Sequence, residues 1–325
     1  LPPRGSMQKA DNKIDSIIIL RGIAALSVCI VHISLVINFH VNKIIDYIIM
    51  NGQQGVAIFF VISGFILPYS LYKKGYSIKG FFTFLFRRSI RIDPPYWASI
   101  ALVFVVGLVP VSALSLYAIV LHVFYLVPFV KGAEWYSGIF WTLSIEFQFY
   151  ILLGLFYPLL SKINAYYAVM SLLLVSAIFV FMRFTYRGII ISNFYDFVIG
   201  YIFFLGFIKK ITKTHTLLIA VFFAIFLMAE VSYITGIVPL LAGLFIFLYK
   251  NKRLPDYILF TGKISYSLYL VHFPISYIFT RYTRQLIPNN YLLFVSCLTM
   301  CILFAWVFYK LIELPSMNLS RKLSA

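Results

Sequence analysis

The sequence predicts an all-α fold, a polytopic transmembrane helical bundle of about ten spans with both termini in the cytoplasm. Three observations predict it. The 325 residues are 62% hydrophobic and only 11% charged, with a mean hydropathy of +0.95, which is more apolar surface than a water-soluble domain could cover. Apolar stretches recur along the chain at lengths near the roughly 20 residues that a straight span needs. The Lys and Arg residues behind the formal charge of +17 gather in loops between those stretches. That reads as a topology signal and not as a nucleic-acid footprint.

The apolar stretches lie near 16–39, 53–73, 95–111, 137–160, 165–184, 190–208, 215–232, 235–250, 263–281 and 291–312. A further stretch, 113–130, holds His122 and Pro128 and fits either an eleventh span or an interfacial helix. Loop charge decides between them. With 113–130 not spanning and the N-terminus inside, the cytosolic segments carry nineteen Lys and Arg residues. They include Lys73, Lys74, Arg87, Arg88, Arg91, Lys209, Lys210, Lys213, Lys250, Lys252 and Arg253. The outer segments carry six: Lys43, Lys131, Arg183, Arg187, Arg281 and Arg284. A spanning 113–130 would turn Lys209–Lys213 and Lys250–Arg253 outward and erase the bias.

Segment 78–92 interleaves basic and aromatic residues, as suits a helix lying on the cytosolic face with its arginines at the headgroups. Residues 1–6 look like a protease-site remnant before a native start at Met7, which makes 7–325 one transmembrane domain. Cys29, Cys297 and Cys301 all fall inside spans and are read as packing residues without a disulfide framework.

Function is concentrated in the polar residues of the spans. Arg21 and His32 are eleven residues apart in the first span, so their directions agree to within about 20° and they share a face. About 16 Å separates them along the axis. An ionisable group inside a membrane helix is costly and marks function by default. Thr142, Glu146 and Tyr150 recur every four residues; Ser265, Tyr269, His272 and Ser276 share one face, and so do Asn193, Asp196 and Gly200. Interhelical hydrogen bonding is the commoner role of Ser, Thr and Tyr in such stripes, whereas Glu146 and His272 must face a partner or a cavity. Asp196 is open to a simpler role, pairing with Arg183 or Arg187. Counted from the outer end of each span, His32, Glu146 and His272 lie at depths of about 10, 13 and 13 Å, and Arg21 at about 27 Å. This layout suits a reaction between a cytosolic anionic donor and an acceptor from the other side. There is no P-loop, Rossmann fingerprint, Gly-x-Ser-x-Gly elbow or His-Glu-x-x-His spacing, so no metal is expected.

Six motifs in order carry a resemblance. They are Leu20-Arg21-Gly22 with His32, Gly55–Phe65, Arg87-Arg88-Ser89-Ile90-Arg91-Ile92-Asp93-Pro94-Pro95-Tyr96, Trp141–Tyr150, Gly262–His272 and Glu313-Leu314-Pro315. Together they resemble the acyltransferase 3 family of bacterial membrane O-acyltransferases. Asp93 departs from it, standing where the family more often has a bulky apolar or aromatic residue.

The resemblance implies a multi-pass enzyme of the bacterial cytoplasmic (inner) membrane. It would move an acyl group, usually acetyl, from cytosolic acyl-CoA to a hydroxyl of an extracytoplasmic or membrane-associated acceptor, commonly a glycan. The residue layout agrees with that chemistry, which needs a base on the hydroxyl and positive or hydrogen-bonding groups near the thioester oxygen. The expected roles are His32 as general base and Glu146 orienting it or an adjacent group. Arg21 would bind donor phosphate or stabilise developing negative charge, and Arg87, Arg88 and Arg91 would attract the coenzyme A phosphates. Tyr150, Tyr269, His272 and Asp196 are the candidate substrate contacts. The alternative class is a transporter or flippase of a lipid-linked or anionic solute. That class would show paired repeats with Gly/Pro-interrupted spans, and the sequence has none.

Overall fold

The computed structural model describes residues 4–184, 186–249 and 254–323, with side chains from Asp15 onward. Residues 1–3 of the suspected remnant, and Lys250, Lys252 and Arg253 of the cytosolic charge count, lie outside the described residues. The elements are all helical: α1 (Arg4–Ile37), α2 (Lys43–Asn51), α3 (Gly55–Lys73), α4 (Phe81–Val105), α5 (Leu116–Val123), α6 (Trp141–Lys162), α7 (Ala165–Phe181), α8 (Phe194–Phe207), α9 (Lys213–Glu230), α10 (Tyr233–Leu248), α11 (Asp256–Lys263), α12 (Ser265–Thr283), α13 (Asn290–Phe308) and α14 (Leu314–Lys322).

By length and composition, six stretches among the described residues can cross a membrane: Asp15–Ile37, Lys43–Lys73, Trp141–Lys162, Ile190–Phe207, Lys213–Glu230 and Asn290–Lys322. The helices α7 and α10 are apolar but shorter. The stretches 95–111 and 263–281, expected as spans, fall largely in α4 and α12, which are not among the six. The ambiguous segment 113–130 is resolved locally. Its helix α5 has 8 residues, about 12 Å of rise against a hydrocarbon core of about 30 Å.

Two local expectations change. Segment 78–92 is not a separate surface helix: after a short 3₁₀ turn at Ile78–Gly80 it runs into α4, which continues through Pro94 and Pro95. Those prolines remove the N–H groups that the Ile90 and Arg91 carbonyls would use. The Tyr266 hydroxyl donates to the neighbouring Ile92 carbonyl at 2.9 Å. Ahead of the span expected from residue 53, α2 adds more than two turns. Asn42 starts it by accepting from the Ile44 and Ile45 amides at 3.1 and 2.9 Å, a side-chain N-cap.

Contacts divide the chain into two units. The first comprises Leu1–Ile23, Gln54–Phe81 and Ile145–Gly262; the second comprises Ala24–Gln53, Phe82–Ser144 and Lys263–Ala325. In the first unit α3 packs along α8, and α10 lies against α3, α8 and α9. Glycines set the closest approach. A Cβ on Gly200 would overlap the Val61 carbonyl oxygen and stand 2.9 Å from the Gly64 carbonyl carbon; one on Gly64 would overlap the Phe197 carbonyl. Small residues at such crossings let helix backbones touch where lipid offers no hydrophobic drive. The motif glycines Gly22 and Gly262 do the same for α1 and α11. A Cβ on Gly22 would sit 2.9 Å from the Gly262 nitrogen, and one on Gly262 would overlap the Ile18 carbonyl.

In the second unit α12 packs along α13. The end of α1 is closed in two ways. Asn38 adopts a left-handed φ of 57° and the Phe39 amide donates back to the Ser34 carbonyl at 2.9 Å, a Schellman-type stop. Arg284 donates to the Ile37 carbonyl at 2.9 Å, placing a cation at the negative end of the helix. His122 is structural. It donates from Nδ1 to the Ala118 carbonyl at 2.8 Å and accepts the Tyr136 amide at Nε2 at 3.0 Å. Its ring stacks on Tyr136, and burial lowers its affinity for a second proton.

Candidate active site

The second unit brings together two histidines that are 240 residues apart in the chain. His272, on α12, is fully buried, while His32, on α1, is partly exposed. His272 Nδ1 lies 3.0 Å from the Leu268 carbonyl, His32 Nδ1 lies 3.0 Å from the Val28 carbonyl, and His272 Nε2 meets His32 Nδ1 at 2.9 Å. The carbonyls settle the proton positions, because a carbonyl oxygen can only accept. Each Nδ1 therefore carries hydrogen. His272 Nε2 is left as an acceptor, so His32 Nδ1–H is shared between it and the Val28 carbonyl. The consequence is that His32 keeps its lone pair on Nε2, away from His272. A base held by a hydrogen bond to its other nitrogen is the arrangement that general-base catalysis uses. Phe273 packs edge-on against the His32 ring at 5.5 Å, which limits its rotation.

Within this unit the side chain that holds His32 is His272. His272 itself, expected as a substrate contact, stands behind His32. Tyr269, one turn earlier, is also buried; its hydroxyl pairs with Thr142 Oγ1 at 2.7 Å and donates to the Ile139 carbonyl at 3.2 Å. Cys301 contacts the His272 carbonyl at 3.5 Å, and all three cysteines are free and buried, in keeping with packing roles.

The first unit contains a carboxylate centre. Glu146 Oε1 accepts from the Tyr150 hydroxyl and from Ser63 Oγ at 3.4 Å. Glu146 is partly exposed and Tyr150 is buried, so Tyr150 supports the carboxylate from inside. Asp196 is 1% exposed, and neither of its oxygens has a hydrogen-bond partner. Pairing with Arg183 or Arg187 is not what the structure has, since both arginines are exposed. Asp196 lies in the first turn of α8, where the positive end of the helix dipole favours a carboxylate. Arg21 is partly exposed on α1.

Of the three clustered arginines, Arg87 borders a cavity of about 530 Å³ with Phe82, Thr83, Leu85, Phe86, Ser89 and Leu323, and its Nε has no hydrogen-bond partner. Arg88 instead lies over the Phe84 ring at 5.6 Å, and Arg91 is partly exposed. Asp93, the departure from the family pattern, is buried and accepts from the Tyr125 hydroxyl at 2.8 Å.

One site residue had no role assigned from sequence. Glu313 is 3% exposed, and its Oε2 accepts the Ser267 amide at 3.1 Å and the Ser267 hydroxyl at 2.6 Å. The signal that was available is the Glu313-Leu314-Pro315 motif, together with a helix α12 that begins after Ile264, which cannot cap it with a side chain.

Comparison with known proteins fits this inventory. The model of a family described as an acyltransferase domain (acyltransferase 3) matches residues 14–310, which include His32, His272, Glu146, Arg21, Arg87, Arg88 and Arg91. Nodulation protein 10 of Rhizobium leguminosarum bv. viciae is 32% identical over 133 residues, 34% of this chain and 34% of that protein. The chain thus spans about a third of the length of that relative. No solved structure matches. With the match running over most of its length, the chain belongs to the acyltransferase 3 family.

Proposed function

We propose that this protein is a membrane O-acyltransferase. It moves an acyl group, acetyl in the first instance, from cytosolic acyl-CoA to a hydroxyl of an extracytoplasmic or membrane-associated acceptor, with a glycan as the acceptor class. The observation that carries the reading is the His272–His32 hydrogen bond, which leaves His32 Nε2 with its lone pair. In the reaction, His32 Nε2 takes the proton of the acceptor hydroxyl as the oxygen attacks the thioester carbonyl carbon. The carbon–sulfur bond then breaks, and His32 returns the proton to the departing CoA sulfur. The products are an ester and free CoA, with His32 restored. The sequence carries no motif of an activated serine or cysteine nucleophile, which favours direct transfer over an acyl-enzyme relay. Glu146 serves as the second acid–base group. Arg21 holds donor phosphate or the developing negative charge.

The donor enters from the basic cytosolic face in this reading. Replacing Arg87, Arg88 and Arg91 by Gln should weaken acyl-CoA binding by about 1.5–3 kcal/mol for each charge-assisted hydrogen bond lost. Arg87→Gln alone should account for more of the loss than Arg88→Gln, because Arg87 borders a cavity and Arg88 stacks on Phe84. Calorimetric titration of acetyl-CoA into the purified protein in neutral detergent reads this out. Unchanged affinity in the triple variant would leave these arginines as headgroup anchors only.

The same reading places ten spans in the bacterial inner membrane with both termini cytoplasmic. A cysteine at Thr212 should then react with an impermeant thiol reagent only after the membrane is opened, and one at Asn289 should react in intact spheroplasts. Labelling of the Thr212 probe from outside would reverse the charge-based topology.

A further inference from the structure

We infer that Glu313 is a positioning residue for the histidine pair, setting the register of α12 so that His272 meets His32. This rests on the reading of His32 as the base. The first observation is a missing cap. A helix begins with amide groups that have no partner inside it, and Ile264, which precedes α12, supplies no side-chain oxygen. Glu313 provides one from a distant part of the chain, taking both the amide and the hydroxyl of Ser267 on a single carboxylate oxygen. That oxygen lies at the positive end of the α12 dipole, which favours an acceptor there.

The second observation is how Glu313 is delivered. Between α13 and α14 the chain makes a π-helical turn, Tyr309–Glu313. Such turns are rare inside helical segments and concentrate at functional sites. The extra residue per turn changes the direction of every side chain after it, and here Glu313 is the last residue of the turn. The π turn packs against α12.

The third observation is distance along α12. His272 follows Ser267 by five residues, about 7.5 Å of rigid helix. A shift of α12 at its capped end therefore moves His272 with it. The His272–His32 bond of 2.9 Å has little tolerance, because hydrogen bonds weaken quickly beyond about 3.2 Å. A displacement of 1 Å at a catalytic group can cost about 10²-fold in rate. Glu313 acts on His32 through the helix that its carboxylate caps.

The test uses the full-length protein in lipid nanodiscs, as Glu313→Ala, Glu313→Gln and Ser267→Ala. Two quantities are read: acetyl transfer with its pH profile, and the ¹⁵N spectrum of histidine-labelled protein. The chain has five histidines, so single substitutions can assign the signals of His32 and His272. Glu313→Ala is expected to shift both signals and to lower kcat by about 10²-fold, with the donor KM within twofold of wild type. Glu313→Gln keeps an oxygen acceptor for Ser267 and should recover most of kcat. Ser267→Ala loses only the hydroxyl bond and should move the same signals by less, which supplies a readout if Glu313→Ala fails to fold. Wild-type His32 and His272 signals in whichever of the Ala variants fold would overturn the positioning role. Shifted signals with unchanged kcat would instead overturn His32 as the base and leave the positioning role standing.

Discussion

His32→Ala is expected to lower acyl transfer by about 10²–10⁴-fold, the usual contribution of a positioned general base, while acyl-CoA binding stays at the wild-type level. The two effects separate because the base acts on the acceptor proton and has little part in holding the donor. The size of the loss follows from the geometry. His32 Nδ1–H is fixed between the Val28 carbonyl and His272 Nε2, so no other nitrogen of the pair is both unprotonated and free of a partner. In the wild-type protein His272 is not available as a base, because it is fully buried and its Nε2 already accepts from His32. Initial rates with saturating acetyl-CoA, together with a direct binding titration, check both halves. Retained activity in the variant would remove His32 from the mechanism.

The second large effect is on the fold. Gly200→Leu is expected to destabilise the first unit by about 3 kcal/mol or more, at or beyond the upper end of ordinary overpacking. The excess arises because the obstacle is backbone: a Cβ at this position overlaps the Val61 carbonyl oxygen and presses on Gly64 and Phe65. A side-chain neighbour could change rotamer, but two helix backbones can only move apart, and then the whole α3–α8 contact loosens. Gly200→Ala should act in the same direction by less. Thermal unfolding of the purified variants, followed by size-exclusion recovery in one detergent, measures the loss. An unchanged transition in Gly200→Leu would mean that α3 and α8 do not touch as described.

Hydropathy and helical period made part of this protein legible. The membrane-helical class and the first apolar span with Arg21 and His32 followed from length and composition, and in 113–130, left ambiguous by hydropathy, the structure has only the short helix α5. His32 and His272, counted from sequence to similar depths of about 10 and 13 Å, are hydrogen-bonded in the structure. Partners were the hidden part. Period tells which face a residue occupies but not which distant helix meets that face. Hence the bonds of Tyr150 to Glu146 and of Tyr269 to Thr142, two tyrosines read as candidate substrate contacts, could not be seen from spacing. The pairing of His32 with His272 was hidden for the same reason. The continuity of α4 through Pro94 and Pro95 ran against the helix-breaking tendency of proline. Glu313 was least legible of all, because the π turn that aims it changes the register by one residue and leaves no periodic trace.

Acyl transfer itself is tested most directly by incubating the purified protein with acetyl-labelled acetyl-CoA and a hydroxyl-bearing glycan acceptor. The expected result is label in the acceptor as a base-labile ester, one free CoA released for each ester formed, and neither product with His32→Ala. Intact acetyl-CoA throughout, with a solute moved across the membrane of a proteoliposome instead, would contradict the assignment and make the protein a transporter.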